Sequence, residues 1–329
     1  METDTFKPAW WLPTGHLQTI WPALFRSKPD IQLTRERVEL TDGDFIDLDW
    51  FGHEQYPLVL INHGLQGSVH SYYALPLMDA LHKSGFASVF MHFRNCSEEP
   101  NRLPRAYHSG ETGDVQTIIQ HISDSQQREV FAAVGFSLGG NALLKWLGET
   151  AQANPLKCAV AVSVPFLLQE SATKLNSGFS RLYEWHLLKS LKQSYRNKFS
   201  DMTSPLNVNI DQFKSFREFD NEVTAPLHGF SGVDDYYQQS SCRQYLHNIQ
   251  IPTCIVHSLD DPFMYPGSIP GQDEVSDQVE MHISDHGGHV GFVSGTVPWK
   301  TKYFHEEALL GFLKQQRSLL SQSHLRNPL

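Results

Sequence analysis

Cysteine is scarce in this chain, basic charge is in deficit, and long apolar runs are missing. The four cysteines, Cys96, Cys158, Cys242 and Cys254, show no C-x-x-C spacing. That excludes the usual zinc-knuckle and thioredoxin-type patterns. Cys158 and Cys254 fall in apolar runs and read as buried thiols. Thiols scattered in this way fit a reducing compartment, and the expected location is cytoplasmic. A formal net charge of −10 argues against general nucleic-acid binding, which calls for a basic face. No stretch of about 18 uncharged apolar residues is present, so no transmembrane segment is expected. Residues 1–5, Met-Glu-Thr-Asp-Thr, lack the positive start and apolar core of a secretory leader. H-E-x-x-H and G-x-x-x-x-G-K are also absent, which removes the commonest metalloprotease and nucleotide-binding signatures.

What is present is a soluble-protein composition of 40% hydrophobic and 12% aromatic residues over 329 positions. That allows one large α/β domain with an insertion, or two modest domains. The most informative stretch is Glu129 to Leu147. An apolar run breaks into Gly135-Phe136-Ser137-Leu138-Gly139, and helix-like residues follow. Strand, G-x-S-x-G, then helix is the context of a nucleophile elbow. There a serine on a strained turn holds its hydroxyl out at the top of a sheet. Flanking glycines are expected because the backbone packs too closely for a Cβ, and because such turns often need positive φ.

Apolar runs elsewhere place further strands. Residues 35–51 read as a hairpin turning at Asp42-Gly43. Buried strands are expected at Pro57 to Ile61, Phe86 to His92, Val130 to Val134, Lys157 to Val164, Ile251 to His257 and Gln278 to Ile283. Helical periodicity falls between them, at Leu75 to Lys83 and Glu111 to Ile122. An amphipathic helix is expected at Glu306 to Leu320. Alternating strands and helices imply a mostly parallel central sheet with helices on both faces. Residues 165–248 break the rhythm. They hold no strand run, only helix-like stretches such as Arg181 to Leu191 and Val208 to Phe219. We read residues 1–329 as a single domain with an N-terminal arm over about 1–34 and a helical cap insertion over about 165–248.

A serine hydroxyl needs a base within hydrogen-bond reach and a third group to orient that base. After an elbow of this kind the acid and then the histidine follow in chain order. Ile255-Val256-His257 leads into Asp260-Asp261-Pro262, and Met281-His282-Ile283 leads into Asp285-His286-Gly287-Gly288-His289. Spacing alone leaves Asp260 against Asp261, and His286 against His289, open. Depth in the loop beside Pro262 favours Asp261. The two preceding glycines favour His289. The oxyanion donors are expected to be the backbone N–H groups of Leu138, after the nucleophile, and Leu65, in His63-Gly64-Leu65 after the early strand.

Other features carry blander readings. His282, His286 and His289 lie close together, but Gly287-Gly288 argues against a helical metal face, and no metal or other cofactor is expected. For the polar loop holding Arg94, Arg102, Arg105, Tyr107, His108 and Ser109, a structural role is favoured over contact with substrate, with Arg94 paired to Glu98, Glu99 or Glu111. Pro8 to Phe25 is rich in Trp, Leu and Phe. An arm packed on the body is favoured over weak contact with a membrane surface. Its side chains are also candidates for an apolar acyl pocket.

These motifs together resemble the YheT-like branch of the α/β-hydrolase superfamily. That branch holds bacterial proteins proposed to be esterases and eukaryotic membrane-associated lipid hydrolases. His16-Leu17-Gln18-Thr19, His63-Gly64-Leu65, Met91-His92-Phe93-Arg94, Tyr107 to Thr112, Gly135 to Asn141, Asp260 to Phe263 and His286 to Phe292 carry the likeness, in order, over nearly the whole chain. Asn95 departs from it, since relatives often carry glycine there. The resemblance implies an α/β-hydrolase fold and a catalytic serine, second aspartate and second histidine that map to Ser137, Asp261 and His289. The expected activity is hydrolysis of small-molecule carboxylic esters with apolar acyl arms. An acyltransferase using the same acyl-enzyme, and a catalytically silent binding protein, are the alternatives.

Overall fold

The computed structural model describes residues 6–326, so the leader-free start read at residues 1–5 lies outside them. The first element is α1 (Gly15–Phe25), whose Thr14 cap accepts the N–H of Leu17. The hairpin follows as β1 (Thr34–Glu39) and β2 (Phe45–Phe51), antiparallel, with Thr34 opposite Trp50. Next come β3 (Leu58–Asn62), α2 (Ala74–Lys83), β4 (Ala87–Met91), α3 (Gly113–Gln126), β5 (Val130–Phe136), α4 (Leu138–Thr150) and β6 (Cys158–Val162). Before β7 (Thr253–Ser258), every regular element is helical: α5 (Leu168–Leu175), α6 (Arg181–Lys198), α7 (Phe216–Phe219), α8 (Ala225–Leu227) and α9 (Val233–Ser240). Then come β8 (Val279–Ser284), a ribbon of β9 (Val293–Ser294) and β10 (Lys302–Tyr303), and α10 (Phe304–Arg326).

The main sheet has the strand order β1-β2-β4-β3-β5-β6-β7-β8. β2 runs antiparallel to β4, and every pair from β4 to β8 is parallel. β3, β4, β6 and β7 are buried at every position. Strands covered on both faces must be apolar without alternation, which is why they read as continuous runs. Val115 and Ile118 of α3 and Leu143 and Leu147 of α4 pack one face. Leu77 and Leu81 of α2 and Leu309 and Leu313 of α10 pack the other. Each such side chain contributes about 1.5–3 kcal/mol by leaving water.

The order β4-β3-β5 positions the site. The chain leaves β3 toward β4, then returns across it to β5. Where successive connections diverge like this, a crevice opens at the carboxyl ends of the strands. Ser137 lies at the end of β5 and His63-Gly64-Leu65 at the end of β3.

Two expectations need correction. Residues 208–219 are not one helix. A 3₁₀ turn spans Ile210–Gln212, and α7 starts afresh at a Ser215–Glu218 capping box. α7 then runs through a π-helical turn (Asp220–Thr224) into α8. The apolar spacing was real, since Ile210, Phe216 and Phe219 are buried together, but a loop delivers the first of them. Nor does Arg94 pair with Glu98, Glu99 or Glu111. Its guanidinium donates to Asp114 at 2.7 and 2.8 Å and to Asp44 at 2.9 Å, all buried.

Candidate active site

Ser137 has φ 50° and ψ −118°, a conformation that an L-residue adopts only when its surroundings impose it. Two backbone bonds do so: Ser137 N–H donates to Val162 O at 2.9 Å, and Asn141 N–H to Ser137 O at 3.0 Å. A Cβ on Gly139 would strike the carbonyl oxygens of Asn62 and His63, and one on Gly135 would strike Gly139 and Gly140. Neither glycine has positive φ. Gly139 therefore lets α4 approach the end of β3, Gly135 lets α4 turn tightly against β5, and the left-handed φ falls on the serine itself. That corrects half of the reason expected for them.

His289 reaches Ser137 from the loop after β8. Its Nε2 lies 3.0 Å from Ser137 Oγ, and its Nδ1 lies 2.8 Å from Asp261 Oδ2. A neutral ring whose Nδ1–H donates to a carboxylate presents the Nε2 lone pair to the hydroxyl, as a general base requires. Asp261 is 3% exposed. Its other oxygen accepts the N–H of Phe263 at 2.8 Å. The Phe263 ring stacks on the imidazole, with centroids 4.0 Å apart and planes at 9°. The choices open on spacing thus separate in space. Asp260 Oδ1 accepts Gly288 N–H at 2.8 Å, and Oδ2 lies 3.2 Å from the exposed His286.

The His289 loop is held by α1, in a role its sequence did not reveal. Thr19 Oγ1 accepts the N–H of His289 at 2.9 Å and donates to Gly15 O at 2.7 Å. Gln18 is fully buried. It donates to Leu12 O and Val293 O and accepts Val293 N–H at 2.6 Å. Gly288, at φ +60°, has no room for a Cβ against Gly15 and Thr19. Val290 takes φ 55°, rare for a β-branched residue, with its N–H donated to Ser163 Oγ at 2.9 Å. Gln18 and Thr19 therefore act as a clamp on the histidine loop.

Leu65 and Leu138 border the same cavity as Ser137 and His289. Leu138 opens α4, so its N–H belongs to the first turn and has no partner within the helix. The Leu65 loop is fixed by two tyrosines. Tyr73 OH accepts Gly64 N–H at 2.9 Å, and Tyr107 OH accepts Gln66 N–H at 2.7 Å. His63 sits beneath, its Nδ1–H donating to Gly64 O at 2.7 Å while Nε2 accepts Phe93 N–H at 3.0 Å. Burial pushes His63 down to about 3, so it stays neutral. His257, buried near Asp261 and His289, is pushed down to about 4 for the same reason.

The cavity over Ser137 measures about 120 Å³, where a single water needs about 10–15 Å³. Helical residues between β6 and β7, among them Leu168, Ala172, Leu175 and Phe216, supply much of its apolar wall. No side chain of residues 6–34 lines this cavity. Among the described residues, the three-residue group with metal-ligating atoms close together is Cys254, Glu280 and His282 on β7 and β8, away from this wall. No described helix is long and apolar enough to cross a membrane.

Known proteins resemble this chain. Residues 57–296 match the family described as alpha/beta hydrolase fold. The proposed esterase YheT of Escherichia coli is 42% identical over 289 residues, which is 86% of this chain and 85% of that protein. Phospholipase ABHD3 of Homo sapiens is 30% identical over 314 residues, covering 92% of this chain and 76% of that one. The solved structure of the Pyrococcus furiosus esterase Pf2001 overlays 88% of this chain and 92% of its own with a TM-score of 0.60. At 17% identity that overlay speaks for the fold alone.

Proposed function

The chain belongs to the YheT-like branch of the α/β-hydrolase superfamily, and from that premise we propose that it is a serine hydrolase cleaving carboxylic esters with apolar acyl arms. The observation that carries this reading is the unbroken path Asp261–His289–Ser137, at 2.8 and 3.0 Å. Ser137 Oγ attacks the ester carbonyl carbon while His289 Nε2 takes its proton. Asp261 holds the tautomer and stabilises the imidazolium. Charge on the carbonyl oxygen is received by the N–H groups of Leu65 and Leu138, in a setting where fixed donors are worth more than water. The C–O bond then breaks, and the alcohol leaves with the proton from His289. Water, deprotonated by His289, releases the acid and restores Ser137. Every proton in this cycle is handled by the chain's own groups.

Residues 165–248 act in this reading as a cap. Leu168, Ala172 and Phe216 face the Ser137 cavity, and an apolar wall favours an acyl chain over a charged arm. Relatives named phospholipase and, in Saccharomyces cerevisiae, monoacylglycerol lipase (28% identical over 268 residues) support acyl esters as the substrate class. The test is labelling with a fluorophosphonate probe alongside release of p-nitrophenol from p-nitrophenyl esters. Intact protein should label and turn over, and Ser137→Ala should do neither. Equal labelling of Ser137→Ala would remove Ser137 from the role of nucleophile. Failure of the intact protein, beside a working control hydrolase, would remove the activity.

A further inference from the structure

The wall of the Ser137 cavity is apolar over most of its extent, yet it carries one carboxyl among the described residues, Asp220. Asp220 opens the π-helical turn between α7 and α8. Such turns interrupt the ordinary helical ladder and are frequent at functional sites. Its two oxygens are held separately. Oδ1 accepts the Thr224 hydroxyl at 2.7 Å, and Oδ2 accepts the Tyr237 hydroxyl at 2.8 Å. A carboxylate offers about four acceptor positions, so each oxygen keeps capacity for another donor.

The environment sharpens the point. Asp220 is half-buried, but protein surrounds the carboxyl closely enough that burial pushes it up to about 6. Thr224 and Tyr237 lie on the cavity wall too, as does Tyr236, whose hydroxyl accepts Ser109 N–H at 3.0 Å. A second polar group there is unused. Ser171, 7% exposed and bordering the same cavity, has a hydroxyl with no hydrogen-bond partner among the described residues. Thr224 and Tyr237 fill one acceptor position on each oxygen, and a donor arriving in the cavity would fill a further one. A purely aliphatic arm would leave that capacity empty.

We infer that Asp220 is the recognition point for a hydroxyl carried on the substrate, so that the preferred ester has one arm bearing an alcohol group that donates to Asp220 inside the Ser137 cavity. This rests on the reading of that cavity as the ester site. Asp220 touches no reacting atom in this account. It sets which ester is bound.

Three esters test it: hexyl octanoate, its analogue with a terminal hydroxyl on the acyl arm, and its analogue with a terminal hydroxyl on the alcohol arm, all followed by acid release. Wild-type protein should favour one hydroxylated ester over the plain one by about tenfold or more in kcat/KM, the discrimination typical of a hydrogen bond to a charged group. Which of the two is favoured identifies the arm. Asp220→Leu should abolish the preference. Asp220→Asn, which keeps an accepting oxygen and can still engage Thr224 and Tyr237, should retain part of it. Equal efficiency of all three esters with wild-type protein overturns the inference while leaving the hydrolase reading intact. So does a preference that survives Asp220→Leu. If no ester is turned over, calorimetric binding of the same three to Ser137→Ala decides. A preference there that is lost on adding Asp220→Leu supports the hydroxyl site although the hydrolase reading has failed, and no preference overturns the site as well.

Discussion

Two Asp–His pairs stand side by side on the same two loops, and only one of them faces Ser137. Asp261 and His289 form the inner pair, at 2.8 Å, with side-chain exposures of 1% and 10%. Asp260 and His286 form the outer pair, at 3.2 Å, with exposures of 22% and 52%. The residue types are identical, and the acids are neighbours in sequence. Surroundings alone separate them. The inner carboxylate spends one oxygen on Phe263 N–H and the other on His289, shielded from water, where electrostatic interactions are stronger. The outer carboxylate spends one oxygen on Gly288 N–H, and its contact with His286 lies in solvent, where such pairs are worth about 0–1 kcal/mol. One pair is placed to act on Ser137, and the other holds the loop that carries the first.

The largest effect that would break this comparison comes from the acids. Asp261→Asn should leave His289 without its anion and favour the wrong tautomer, lowering kcat by about three to four orders of magnitude. Asp260→Asn should lower it by less than about tenfold, since only a loop brace is weakened. Steady-state kinetics on one p-nitrophenyl ester measures both. A larger loss from Asp260→Asn would reverse the assignment of the two pairs.

The next effect concerns stability in acid. His63 lies beneath the Leu65 loop and His257 beside the inner pair, and burial holds them at about 3 and about 4 against an ordinary value of 6.5. In the unfolded chain both take a proton as pH falls through 6.5, while in the folded chain they do not. The unfolded state then binds more protons, so stability drops as pH falls from about 6.5 toward 4, by about 1.4 kcal/mol per pH unit for each histidine. Above about 7.5 these two contribute almost no slope. Urea unfolding between pH 8 and pH 5 should show the loss, and His257→Gln should remove one histidine's share of the slope. An unchanged slope in His257→Gln would mean that His257 is charged in the folded protein.

Local patterns made the serine legible and hid its supports. Gly135 to Gly139 announces itself because strand, turn and helix are contiguous. The order of Ser137, the Asp-Asp pair and the His-Gly-Gly-His loop was also readable, because each follows its own apolar run. What could not be read is long range. Thr19 braces His289 across 270 positions, and Gln18 braces Val293 across 275. Arg94 has acids close by in sequence, yet it bonds to Asp44 and Asp114, which the fold brings to it from the hairpin and from α3. The helical periodicity of 208–219 misled for a related reason. Apolar spacing records which residues are buried, and both a 3₁₀ turn and a helix can bury residues such as Ile210 and Phe216.

The clamp by α1 gives a smaller, graded effect. Thr19→Val keeps the shape but removes the acceptor for His289 N–H, leaving a buried donor unpaired at a cost of about 1–3 kcal/mol. If the loop shifts to relieve it, kcat should fall about tenfold while KM changes little, because His289 moves and the cavity wall does not. Thr19→Ser restores the hydroxyl and should recover most of the activity. A Thr19→Val protein that is destabilised but fully active would make the clamp purely structural.

The smallest effect is the most discriminating, because it asks whether the outer histidine matters at all. His286 is exposed, its ring meets Asp260 at 3.2 Å, and it borders no part of the Ser137 cavity. Its carbonyl is a separate matter, since it accepts the Ser284 hydroxyl, a bond that any residue at this position preserves. His286→Gln should therefore keep kcat within about twofold and stability within about 0.5 kcal/mol, the range of surface substitutions. Asp260 would still hold Gly288 N–H, so the inner pair would keep its place. If instead His286→Gln cost activity on the scale of Asp261→Asn, the two pairs would be coupled parts of one proton path. The difference in burial between them would then no longer separate their roles.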